Sequence, residues 1–95
     1  MQVRELTWFY EAIREDHRIL PSHIAVFMAL FQCWNQNDFQ NPVPINRRQV
    51  MEAAKISGLA TYHRCIRDLH VYGYIRYQPS YHPSKRSRVS FLIQV

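Results

Sequence analysis

The chain has 95 residues, 47% of them apolar and 14% aromatic, with a net charge of +5. That is one domain's length with ample core material, which excludes a disordered chain. The longest apolar run, residues 24–31, is far short of the ~20 residues a membrane span needs, so no membrane partner is expected. The opening residues MQVREL carry no apolar stretch with a small-residue cleavage site, so a cytoplasmic chain is expected. Charge is unevenly shared. Residues 1–45 hold three cations against five anions, a balance of −2, and residues 46–95 hold nine against two, a balance of +7. Such a split points to a polyanion partner for the second half, against the plainer alternative of a soluble basic surface.

In chain order, Val3, Leu6, Phe9 or Tyr10, Ile13 and His17 recur at helical spacing, which predicts an amphipathic helix over residues 3–17. Glu11, Glu15 and Asp16 read as its solvated face. Trp8, Phe9 and Tyr10 cannot all face inward on one helix, so apolar surface is left over there. A homodimer through this helix is one use for it. Pro21 suits a first helical position, and residues 22–35 are apolar nearly all round, which predicts an enclosed central helix. Phe27, Phe31, Trp34 and Phe39 then belong to the core.

Residues 35–44, NQNDFQNPVP, have loop composition, and Val43 to Ile45 suit a short edge strand. Asn46 reads as a helix cap with Gln49 in the capping-box position, followed by a helix to Ala54 with Val50 and Ala53 or Ala54 inward. The only two glycines, Gly58 and Gly73, bracket the next helix. Ser57 is its expected cap and Gly58 its turn residue. Tyr62, Cys65, Ile66, Leu69 and Tyr72 form its inner face, and Gly73 is its left-handed stop. A hairpin follows, with arms at 74–78 and 89–95 and the cationic tip HPSKRSR at 82–88. Pro79 and Pro83 bound the turn region and make the first arm an edge or an interrupted strand.

Cys33 and Cys65 read as two buried thiols in a reducing compartment, with a disulfide as the alternative. His17, His23, His63, His70 and His82 are scattered without metal-ligand spacing, so no metal is expected. No phosphate-binding glycine loop, no H-E-x-x-H and no nucleophile–base motif occurs. The expectation is a chain that is not an enzyme and has no cofactor or small-molecule ligand.

The stretch NRRQVMEAAKISGLATYHRCIRDLHVYGYIRY, residues 46–77, with the hairpin after it, resembles the winged helix–turn–helix family. The resemblance implies an α+β fold of three to four helices with a C-terminal β-hairpin wing. Residues 1–17 would be an N-terminal helix, 46–72 the helix–turn–helix and 74–95 the wing. Within that class the wording is similar to small bacterial regulators, replisome organisers and mobile-element accessory proteins. It implies a regulatory or accessory protein on double-stranded DNA. One departure is visible: Gly58, Leu59 and Ala60 separate Ser57 from Thr61, one residue more than the Ser-x-x-Thr of many such domains.

A helix in the major groove must reach bases or phosphates with its outer side chains. The implied contacts are Ser57, Leu59, Thr61, His63, Arg64 and Arg67, with Arg64 best suited to guanine and Leu59 or Ala60 to a thymine methyl. The plainer alternative is a solvated face with Arg64 or Arg67 paired to Asp68. On the wing, Lys85, Arg86 and Arg88 suit phosphates or the minor groove, against a solubility role beside an edge strand. Arg47 and Arg48 open a helix whose dipole disfavours cations, which suggests an external anion, though a paired surface arginine explains them too. The rival class is a winged helix that binds protein or dimerises without reading DNA, and RNA binding is a third reading.

Overall fold

A computed structural model describes residues 3–92. The central helix α2 (Pro21–Gln36) starts on Pro21, whose missing N–H would have no partner there, and buries Val26, Phe27, Ala29, Leu30, Phe31 and Trp34. Around it stand α1 (Val3–Ile13), α3 (Arg47–Ala54) and α4 (Leu59–Val71). Strands β1 (Val43–Pro44), β2 (Ile75–Gln78) and β3 (Arg88–Phe91) form one antiparallel sheet in the order β1-β3-β2. Four helices and this sheet make an α+β arrangement compatible with a winged helix. Among the described residues no helix is long and apolar enough to cross a membrane.

Rings fill the space between α2 and the sheet. Phe9 stacks on Phe27 at 3.7 Å between centroids and Trp34 on Phe91 at 4.5 Å. Phe27 meets Phe91 edge-on at 5.5 Å. Each such ring contributes about 1.5–3 kcal/mol by leaving water. Phe39 joins them from a left-handed backbone, φ 56°, held by its edge contact with Trp34 at 4.9 Å. Asn41 extends the sheet with its side chain: its amide donates to Phe91 O and accepts from Phe91 N at 3.3 and 3.1 Å.

The N-terminal helix is shorter than the spacing predicts. It stops at Ile13 because Asp16 takes the Arg18 backbone N–H at 3.1 Å, a local bond that competes with helix continuation. His17 is consequently exposed, not part of an inner stripe. Phe9 and Glu5 are the buried residues of α1, whereas Val3 is 70% and Tyr10 46% exposed. Glu11 and Glu15 are solvated, but Asp16 turns inward to Arg18 and Tyr74.

Helices α3 and α4 lie where the spacing predicts them, with three local corrections in and between them. Asn46 caps α3 by accepting from Gln49 N at 3.1 Å, and the reciprocal half of a capping box is not formed. Val50 and Ala54 face inward, and Ala53 is exposed. The left-handed residue between the helices is Lys55, φ 61°, not a glycine. Gly58 is itself the cap of α4, extended at φ −84°, so Ser57 does not cap the helix. The far glycine is as expected: Gly73 ends α4 at φ 91°. Tyr62, Cys65, Ile66 and Leu69 are buried beneath it.

In the hairpin, Tyr77 faces Val89 and Ile75 faces Phe91 across the strands. The second arm begins at Arg88, and the predicted strand residues 93–95 lie outside the described residues. Cys33 and Cys65 are free thiols, and burial pushes the Cys33 thiol up.

Candidate nucleic-acid interface

Helix α4 exposes Ala60, His63, Arg64, Arg67, His70 and Val71, which share one face at spacings of three and four. Thr61 is only half exposed, its hydroxyl beside Gly58. The pairing of Arg64 or Arg67 with Asp68, the plainer alternative for this face, does not occur among the described residues. Asp68 turns toward α2, where its Oδ2 accepts from His23 Nε2 at 2.9 Å. The tautomer follows from the other ring nitrogen, since His23 Nδ1 accepts from Leu20 N–H at 2.9 Å. Among the described residues the one ion pair of an arginine or lysine is Arg18–Asp16, so neither arginine of the exposed face is neutralised.

Between α4 and the loop 79–87 runs a groove of about 690 Å³. Arg47 and Arg48 enter it from the start of α3, His63 from α4, and Lys85 and Arg86 from the loop. No carboxylate lines it. Tyr62 and Tyr77 lie alongside, and burial pushes the Tyr62 hydroxyl up to about 12, with Tyr77 adding to the effect and Arg47 opposing it. Residues of three separated segments thus meet in a single concavity because Asn46 starts α3 next to β3. Ile45 N–H donates to Ser87 O at 2.9 Å across that junction.

The loop holds its own shape. Ser80 N–H donates to Ser87 Oγ at 3.1 Å, and Ser84 N–H to His82 Nδ1 at 3.2 Å. Lys85 N–H donates to His82 O at 3.1 Å, which closes the turn. These bonds present the cations on an ordered backbone.

Not every predicted contact joins the groove. Ser57 and Leu59 line a separate, largely apolar hollow of about 660 Å³ with Met51 and Ile56, rimmed by Arg47, Arg48, Glu52 and Lys55. Leu59 is 46% exposed there. Arg64 and Arg67 stand on the outer face of α4, and Arg88 lines a neighbouring, smaller hollow with Tyr81 and His82, which Lys85 and Arg86 also border. Sequence reasoning missed Tyr81, 93% exposed at the lip of the groove. Its signal was available: a tyrosine between Pro79 and Pro83 in a cationic loop, with no strand or helix to bury it. No group of three or more His, Cys, Asp or Glu that could hold a metal occurs among the described residues.

Compared with known proteins, the chain matches no family model, no curated protein and no solved structure.

Proposed function

We propose that the chain is a winged helix–turn–helix domain that binds double-stranded DNA as a regulatory or accessory protein. In this reading α4 lies in the major groove and the 79–87 loop lies on the backbone or in the minor groove. Transcriptional control, replication initiation and mobile-element control are the processes such a domain would serve. The observation that carries the reading is the carboxylate-free groove, where Arg47 and Arg48 from the start of α3 converge with Lys85 and Arg86 from the 79–87 loop. A merely soluble surface intersperses both signs of charge. Arg64, with no ionic partner on the exposed face of α4, supplies a guanidinium for guanine.

About four phosphate contacts give a salt slope near −4. Fluorescence anisotropy on a random-sequence duplex across a salt series tests this. The double variant Lys85→Ala/Arg86→Ala should lose about two units of slope. Absence of binding at low salt would remove the proposal.

A second reading has its own observation. Met51, Ile56 and Leu59 form an apolar hollow that DNA phosphates do not need, and a protein-binding winged helix would use such a surface. A homodimer would instead use α1, where Val3 and Tyr10 are exposed. Light scattering at high concentration separates the two: a clean monomer removes the dimer and leaves the hollow.

A further inference from the structure

We propose that the groove beneath the wing takes unpaired nucleotides adjoining a duplex, with Tyr81 as the ring on which a base stacks. The proposal rests on the DNA-binding reading and specifies which DNA.

Tyr81 is 93% exposed, the most exposed large apolar side chain on the described surface. One exposed ring alone needs no explanation. Its setting supplies one. The ring joins no aromatic pair and its hydroxyl no hydrogen bond among the described residues, so the fold draws nothing from it. The loop beneath is nonetheless ordered by Ser80, His82, Ser84 and Ser87, and is stiffened by Pro79 and Pro83. An ordered loop therefore holds an aromatic face out to solvent at the edge of a cationic groove.

The groove repeats that combination inside. Its lining combines the cations Arg47, Arg48, Lys85 and Arg86 with the rings of His63 and Tyr77, and includes no carboxylate. Cations that track a sugar–phosphate backbone, with rings that receive bases irrespective of identity, are what single-stranded nucleic acid requires. Paired bases offer a protein their edges in the grooves, because their faces are already stacked on one another. A ring on the wing finds a free base face only at an end, a fork or an extruded base. With α4 on the duplex, the wing reaches the strand beside it, so a duplex with an unpaired flank is the ligand that engages both.

The test compares three labelled probes: a duplex closed at both ends by hairpins, the same duplex with a single-stranded tail, and the tail alone. A 2-aminopurine stands at the first unpaired position. Wild type should bind the tailed duplex about ten-fold tighter than the closed one, since a stacked base is worth about that factor. It should also quench the 2-aminopurine. Tyr81→Ala should remove the advantage of the tail and the quenching, and Tyr81→Trp should restore both. Thermal melts of the variants should match wild type, because the ring has no contacts to lose. Equal affinity for tailed and closed duplexes with no quenching would overturn this inference and leave duplex binding standing. No binding to any probe at low salt would remove both.

Discussion

Asp68, the one carboxylate on α4, accepts a hydrogen bond from His23 on α2 at 2.9 Å, and so faces the interior side of its helix. The same bond joins the candidate recognition helix to the central helix and leaves Arg64 and Arg67 unneutralised. Positioning and charge presentation are thus one arrangement. His23 is 2% exposed, so loss of its partner strands a buried N–H.

Asp68→Ala is accordingly a stability variant. It should lower the free energy of unfolding by about 2 kcal/mol in urea denaturation, the cost of leaving a buried donor unpaired beside a lost charged acceptor. Arg64→Ala and Arg67→Ala, exposed and unpaired, should unfold within about 0.5 kcal/mol of wild type. Their effect should fall on DNA binding. If the arginine variants instead destabilised the fold and Asp68→Ala did not, the inward pairing would be wrong.

The two glycines should behave oppositely, because their backbones differ. Gly73 sits at φ 91°, where a side chain is strained although nothing crowds the site, so Gly73→Ala should cost about 1 kcal/mol. At Gly58 the backbone is extended and a Cβ would meet Thr61 Oγ1 at an ordinary 3.5 Å. Gly58→Ser should therefore stabilise by a few tenths of a kcal/mol by adding the missing cap to α4. Lys55 holds the left-handed turn that glycine favours, and Lys55→Gly should gain up to about 1 kcal/mol. Chemical denaturation of the three variants gives all three signs.

These glycines also show how far the sequence was legible. Glycine at the end of a periodic stretch is a strong helix-stop signal, and Gly73 obeyed it. Gly58 beside Ser57 suggested a turn and a cap, but αL is open to lysine at modest cost, so the left-handed turn fell three residues earlier, at Lys55, and the cap one residue later, at Gly58. Element types and the antiparallel β2–β3 hairpin followed from periodicities of 3.6 and 2, which are local. What periodicity does not carry is which partner a polar side chain selects across 45 residues, as Asp68 selects His23. It also does not carry the convergence of residues 47, 48, 63, 85 and 86. That convergence depends on β1 pairing with β3, a contact between segments more than 40 residues apart.

The wing cations should separate in binding assays. Lys85 and Arg86 line both the groove and the neighbouring hollow, whereas Arg88, the first residue of β3, lines the hollow and not the groove. Lys85→Ala and Arg86→Ala should each reduce the salt slope on duplex DNA by about one unit, and Arg88→Ala by clearly less. Equal losses from all three would mean that the whole tip, and not the groove side of it, meets phosphate.

The link from the α1–α2 turn to the end of α4 should show in the pH dependence of stability. Asp16 receives Arg18 Nε and Nη2 at 2.8 and 2.9 Å and the Tyr74 hydroxyl at 2.7 Å, and Arg18 lies 4.0 Å over the Tyr72 ring. The Arg18 bonds, then the Tyr74 bond, hold the Asp16 carboxyl well below the usual carboxylate range. A folded-state value below the unfolded one contributes stability above the unfolded pKa of about 3.9, and that contribution is lost as pH falls further. Burial, then the Asp16 bond, pushes the Tyr74 hydroxyl up to about 12. A raised folded value works in the other direction: its contribution is complete below about 10 and lost as pH rises from there toward 12. Asp16→Asn should therefore be less stable than wild type at neutral pH, with the gap narrowing below about pH 4. Tyr74→Phe should lose the alkaline decline between about pH 10 and 12 that Tyr74 contributes. Urea midpoints across pH give both curves, and a gap for Asp16→Asn that stayed constant down to pH 2 would show that the carboxylate's charge has no part in holding the turn.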